Sequence, residues 1–289
     1  SHTQYSDGSG TLESALSDVA NLPDSANVDF VAFTDHSNYF DSTSAANPEG
    51  ALYDMSLASA SSQETWNSYR SSVAAFNEAN AGSLVALAGF EMTWSGGPGH
   101  INTFNTPGIV SRNNATLNNK TDYAGMKAYY ALLDQAEGAD SISQFNHPGT
   151  TFGTFGDFSF WDPVTDTRIA MVEVGNGEGQ IGAGGYYPSY EYYIMALDKG
   201  WHVAPTNNQD NHKGRWGNAN DARDVILTDD FSEQGIYEAI RAMRMYATED
   251  KNLAVSYTVN GEQMGSSITV VPDQLTFDVT VYDPDKSDS

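Results

Sequence analysis

Six histidines occur in the sequence, and five of them stand beside a carboxylate or just past a short apolar run. His2 precedes Ser6–Asp7–Gly8, His36 closes Phe33–Thr34–Asp35, and His100 follows Glu91 by nine residues. His147 lies in Asn146–His147–Pro148, and His212 in Asp210–Asn211–His212. The sixth, His202, opens an apolar run and reads as structural. Imidazole nitrogen and carboxylate oxygen suit zinc, manganese or iron, and one carboxylate can bridge two ions. A lone strand-end histidine is more often a hydrogen-bonded structural residue, but five in such company point to a multinuclear metal site. The chain has no cysteine, which excludes disulfides, thiolate zinc sites and cysteine nucleophiles. No Gly-x-Ser-x-Gly elbow supplies a serine nucleophile either.

Residues so far apart meet only if a repeated element carries them to one place. Short apolar runs bounded by turn residues predict strands at Val28–Thr34, Leu84–Phe90, Ser141–Phe145, Ile169–Val174, His202–Thr206 and Asp224–Leu227. Helical patterns fall between them at Thr11–Ala20, Thr65–Asn80, Tyr123–Ala136, Tyr190–Lys199 with Gly200 as its stop, and Ser232–Met245. Alternating strands and helices imply a parallel sheet, open or closed into a barrel, because parallel neighbours need a long crossover. In such a sheet, residues just past the carboxyl ends of strands converge on one face. His36, Glu91, His147, Glu173 and Asp210 all occupy such positions.

Two stretches break the rhythm. Asn38–Gln63 and Thr106–Thr121, rich in Ser, Asn, Ala and Gly, read as long loops bordering the site and setting its preference among substrates. From Leu253 the pattern turns to alternating segments, Leu253–Val259, Ser267–Val271 and Leu275–Val281, with Asn260–Gly261 as a turn. The expected division is a barrel over 1–252 and a β-rich extension over 253–289, packed on the barrel or opening a further β module.

The chain has 289 residues, 39% of them hydrophobic, enough for one large core with a small appendage. With 38 acidic against 13 basic residues, its net charge of -25 argues against a nucleic-acid partner. No run of about 18 apolar residues predicts a membrane span, and Ser1 to Gly10 lacks the pattern of a signal peptide. The Ser, Asn, Gly and Tyr content suits a secreted or surface-attached bacterial protein, although a halophile would show a similar acidic balance.

In order along the chain, the motifs are Ser1–His2–Thr3 with Ser6–Asp7–Gly8, Phe33–Thr34–Asp35–His36, and Gly89–Phe90–Glu91 with Gly99–His100–Ile101–Asn102. His147–Pro148–Gly149, Val172–Glu173–Val174 and Asp210–Asn211–His212 complete the set. Together they resemble the polymerase and histidinol phosphatase (PHP) superfamily, and within it the secreted branch similar to carbaryl-type metallohydrolases. The resemblance spans roughly the first 250 residues, and its strength lies in the ordered set, since each motif alone is weak. It implies a distorted (β/α)7 barrel with two to three divalent ions. His2, Glu91 and Asp210 would hold the first, Asp7, His36 and His212 the second, and Glu91, His100 and His147 the third. Glu91 would then bridge two ions. The family opens on His-x-His, whose first histidine would fall immediately before Ser1.

A metal-bound hydroxide is the expected nucleophile, attacking a small-molecule or polymer-linked phosphate ester. Lys213 and Arg215, directly after His212, are candidates to hold the phosphate, against the plainer reading of a solvated turn. Asp35 is expected to orient a ligating imidazole. Glu173 is left open between ligand, hydrogen-bond acceptor to a ligand and polar strand end. The aromatic stretch Tyr186–Tyr193 reads as core more than as a sugar platform. Trp94, Trp161 and Trp216 read equally as pocket walls and as loop packing. Two other functions compete: hydrolysis of a carboxylic ester, carbamate or amide by the same metal site, and a non-catalytic glycan or cell-wall binding module.

Overall fold

A computed structural model describes residues 1–40, 60–94, 98–114, 116–117, 122–269 and 273–285, without the side chains of 60–62. The fold is mixed α/β, built on a curled half-barrel sheet. Its strands are β1 (Phe30–His36), β2 (Val85–Thr93), β3 (His100–Phe104), β4 (Ile142–Asn146), β5 (Ile169–Asn176) and, past a two-residue β6 (Tyr187–Pro188), β7 (Ala204–Asn208). β1 pairs parallel with β2, β4 with β5, and β5 with β7, whereas β3 runs antiparallel to both neighbours. The all-parallel sheet expected from the alternation of elements is thus interrupted, and a closed seven-stranded barrel is not seen among the described residues.

Period-two alternation gives the sheet two apolar faces. Phe33, Phe90, Ile101, Phe145 and Val172 point outward into the larger core. There they meet α1 (Leu12–Ala20), α2 (Ala60–Ala79), α3 (Tyr123–Gln135) and α5 (Tyr190–Asp198). Helix α1 starts where the Thr11 hydroxyl accepts the Ser14 N–H at 3.0 Å, and it buries Leu12, Ala15, Leu16 and Val19 at helical spacing. Helix α3 is capped by Asp122, and the four-residue α4 (Pro163–Asp166) by Asp162 with Pro163 at its first position. The described part of Thr106–Thr121 packs into this outer core through Ile109, Val110 and Leu117. Residues 41–59 of the other expected loop lie outside the described residues, and its end is already helix α2.

The inner face carries a second cluster, in which Val85, Leu87, Phe104, Ile142 and Met171 meet Ile236, Tyr237 and Ile240 of α6 (Glu233–Arg241). This helix plugs the amino-terminal end of the half-barrel, beside the ribbon of β8 (Arg223–Ile226) and β9 (Met245–Thr248). Helix α6 stops short of the expected Met245, because Met243 takes φ 53° and Arg244 N–H turns back to Ala239 O at 3.0 Å. Gly89 must be glycine: a Cβ there would lie 2.5 Å from the Phe104 ring.

The carboxyl-terminal region forms a separate antiparallel sheet of β10 (Ala254–Val259), β11 (Glu262–Gln263) and β12 (Phe277–Tyr282). Val255, Tyr257 and Val259 share one face with Val281, Val279 and Phe277. In the expected segment Ser267–Val271, the described residues 267–269 form no strand. Among the described residues, no helix is long and apolar enough to cross a membrane.

Candidate metal centre

The eight candidate ligands come from six places along the chain, all at one rim of the sheet. His36 ends β1, Glu91 lies near the end of β2, and His100 opens the antiparallel β3, whose start therefore lies at the same rim. His147 follows β4 at once, and Asp210 and His212 follow β7. His147 and Asp210 have positive φ, 25° and 44°, so the backbone turns sharply just past each strand end.

His2 and Asp7 arrive on the amino-terminal segment, which is tied down strand-like. Its bonds run from Thr34 N–H to Ser1 O, His2 N–H to Asn211 O, both at 2.8 Å, and Trp216 Nε1–H to His2 O at 3.1 Å. The turn that brings Asp7 back to His2 requires Gly8, where a Cβ would lie 2.3 Å from the His2 carbonyl. Trp216 is buried and acts as a clamp on this segment, Trp94 packs in the outer core against Tyr129, and Trp161 is exposed.

Glu91 sits at the centre, buried, and its two oxygens face different partners. Oε2 lies 3.2 Å from His36 Nδ1 and 3.4 Å from His2 Nε2, while Oε1 lies 3.1 Å from His100 Nδ1 and 3.4 Å from His147 Nε2. Asp210 Oδ1 is 2.9 Å from His2 Nε2, and Asp7 reaches His212 at 3.3 Å and His36 at 3.5 Å. Three overlapping groups result, each with ligand atoms within 4.8 Å of one another: His2, Asp7, His36 and His212; Glu91, His100 and His147; and His2, Glu91 and Asp210. These are the expected trios, with His2 added to the second.

The ring nitrogens are oriented from behind. Asp35 points away from the rim and accepts Thr3 N–H at 2.7 Å, Thr3 Oγ1–H at 2.9 Å, Ser6 Oγ–H at 2.7 Å and Tyr69 O–H at 3.1 Å. Because the Ser6 proton goes to Asp35, Ser6 Oγ accepts from His2 Nδ1 at 3.2 Å, and His2 Nε2 is the nitrogen turned toward Glu91 and Asp210. Asp35 therefore acts on an imidazole through Ser6 and not by touching a ring. His212 Nδ1 donates to Asp210 O at 2.7 Å, so Nε2 is the nitrogen that faces Asp7.

Electrostatics show the strain of so many ligands in one place. Burial opposes the charged form of His36, yet Glu91 and Asp7 win and raise it to about 10. His147 is likewise raised to about 9, against burial, chiefly by Glu91. Burial lowers His100 and prevails there. Glu91 and Asp7 are held well below the usual carboxylate range by the surrounding imidazoles, although burial opposes this. His36 Nδ1, Glu91 Oε1 and His147 Nδ1 are buried without a hydrogen-bond partner. A divalent ion would substitute for the shared protons and satisfy such orphaned donors, so the residue set fits one.

Glu173 belongs to none of the three groups. Buried at 2% exposure, it accepts the backbone N–H of His147, and Asn208 Nδ2 at 2.9 Å and Asn176 Nδ2 at 3.1 Å. Of its open readings the structure shows the acceptor. Lys213 and Arg215 are engaged elsewhere: Lys213 Nζ lies 3.4 Å from Glu178 Oε2, and Arg215 Nη2 donates to Glu178 O at 3.0 Å. Sequence reasoning missed Glu178, whose Oε1 also accepts His212 N–H at 2.7 Å, because a carboxylate working through backbone leaves no motif. It also missed Phe152, half exposed, with its ring 4.8 Å from those of both His100 and His147. His202 is apart from the cluster, paired with Asp166 at 2.7 Å. Of the aromatic stretch, Tyr186 is buried and Tyr192 and Tyr193 pack against the core, whereas Tyr187 and Tyr190 are exposed.

A solved structure from Bacteroides vulgatus shares this architecture: a two-domain protein containing a predicted PHP-like metal-dependent phosphoesterase. It aligns with a TM-score of 0.53 and 18% identity over 96% of this chain and 73% of that one. What the two share is a fold. No protein-family model matches the chain, and no curated protein does.

Proposed function

We propose that the chain is a metal-dependent phosphoesterase of PHP type, in the branch similar to carbaryl-type hydrolases, acting on phosphate mono- or diesters. The observation that carries this is Glu91, whose two oxygens each face a different pair of imidazoles, the arrangement of a carboxylate shared between two ion positions. Two to three divalent ions (zinc, manganese or iron) held by His2, Asp7, His36, Glu91, His100, His147, Asp210 and His212 would activate water and offset charge on a transferring phosphoryl group.

The chain's own residues prepare that chemistry. Ser6 and the Asp210 carbonyl fix the tautomers of His2 and His212, so both present Nε2 without reorganisation. Glu173 holds the His147 backbone in its positive-φ turn. Phe152 packs its ring against one side of His100 and His147. One observation favours the carboxylic-ester or carbamate reading: Lys213 and Arg215, the cations next to His212, are already engaged by Glu178. Their role as phosphate contacts requires them to leave it.

Elemental analysis of protein purified without chelators, with hydrolysis of a phosphate monoester, a diester and a carboxylic ester, tests the proposal. Two or three ions per chain with phosphate turnover are expected. Turnover of the carboxylic ester alone would transfer the site to carbonyl chemistry, and absence of bound metal would end the hydrolase reading.

A further inference from the structure

Below the rim, the inner face opens into a cavity of about 430 Å3, in the size range of small-molecule pockets. At its upper end it touches His147 and Asp210, and at its lower end Leu87, Phe104, Ile236 and Met245. Between the two lies a belt of carboxamides, Asn102, Gln144, Asn146, Asn176 and Asn208.

The charges along its walls are selective. Glu173 and Asp224 line the cavity. Arg223 lines it too, but its guanidinium donates to the carbonyls of Ala26 at 2.6 Å, Ala222 at 2.7 Å and Asn220 at 2.9 Å. Lys251 is paired with Asp221 at 3.7 Å. Carboxylates with their cations turned elsewhere repel a phosphate, so the anionic part of an ester stays at the rim. What the walls favour is neutral. The carboxamides that line the cavity carry both donors and acceptors.

Resting on the phosphoesterase reading above, we infer that this cavity holds the alcohol half of the substrate, a neutral hydroxyl-bearing ring of the sugar or cyclitol class. Its hydroxyls meet the carboxamide belt, its carbon face lies against Leu87 and Phe104, and its phosphate remains among the metal ligands. An apolar floor under a ring of amides suits a molecule with one carbon face and a hydroxylated edge.

Ala32 permits the test. It lines the cavity on the inner face of β1, four residues or about 13 Å along the strand from His36. Ala32→Phe should fill the lower cavity, with Ala32→Val as a milder, β-compatible variant should the larger one fold poorly. The measurement is kcat/KM for glucose 1-phosphate and myo-inositol 1-phosphate relative to acetyl phosphate, with metal content followed in parallel. The ring-to-acetyl ratio should fall about tenfold or more in Ala32→Phe and less in Ala32→Val. An unchanged ratio overturns the inference. If metal-loaded wild type hydrolyses no phosphate at all, the phosphoesterase reading fails, and ligand-observed NMR with glucose and myo-inositol decides the cavity separately. Binding that survives a chelator and is lost in Ala32→Phe upholds it, and no binding to wild type overturns it.

Discussion

Within two residues along a strand, the inner face of the half-barrel changes character. On β1 Phe30 and Ala32 give way to Thr34 and His36, on β2 Val85 and Leu87 to Gly89 and Glu91, and on β4 Ile142 to Gln144 and Asn146. Strand β3 runs the other way, and its order is reversed: His100 and Asn102 come first and Phe104 last. Position along the axis of the half-barrel decides the chemistry, whatever the direction of the chain. The lower half, closed by α6, is lined by apolar side chains, and the upper half carries the charged ones.

That contrast predicts that damage to each half reads out differently. Glu91→Ala removes the carboxylate that two ligand groups share. Loss of several kcal/mol of charge stabilisation corresponds to about a thousandfold or more in turnover, with bound metal falling in elemental analysis. Phe104→Ala, thirteen residues further on and on the same face, should instead cost about 3 to 5 kcal/mol in chemical denaturation. Its metal stoichiometry should be retained while the chain is folded, and loss of metal from the folded variant would break the contrast.

A residue behind the rim tests how far the upper half extends. Asp35→Ala frees Thr3 and Ser6, hence His2, and should weaken metal binding about 10- to 100-fold in a chelator competition. No change would mean that the amino-terminal segment holds His2 by its backbone bonds alone.

The smallest expected effect is one of pH. Burial raises Glu173 from its ordinary 4.5 to about 7 in the metal-free fold. The folded chain then binds that proton more tightly than the unfolded chain, so this contribution to stability is complete below about pH 4.5 and is lost as pH rises through 7. In chelator, Glu173→Gln should flatten that decline across pH 4.5 to 7 in thermal melts, leaving the chain comparatively better off at pH 8. A slope unaltered by the substitution would place the titration on another group.

Much of this was legible in the sequence for a physical reason. Buried parallel strands are continuous apolar runs with a polar residue where they leave the sheet, so β1, β2, β4, β5 and β7 and the polar residues at their ends stood out together. Strand β3 did not, because it is only five residues long, follows a Gly-Pro-Gly stretch and has three polar residues among its five, His100, Asn102 and Thr103. The end of α6 was hidden too, since Ala242–Met243–Arg244 continues a good helix. It ends before Met243, whose φ of 53° turns the chain back, and Gly265 packs against that turn so closely that a Cβ would lie 2.4 Å from Ala242 O. Tertiary contact overrode propensity there. In the candidate site, the side chains that face one another could be read from type and position. Ser6, Glu178 and Phe152 could not, because they act through a hydroxyl, a backbone amide and a ring contact that no spacing encodes.

The contact between His2 and Asp210 joins positions 208 apart in sequence. Closing so large a loop costs entropy that only a nearly finished sheet can repay, so this contact belongs among the last to form. Capture of ions that need both residues thus follows folding in time. The complete centre would serve as a latch on the finished fold, holding the two distant segments together once they have met.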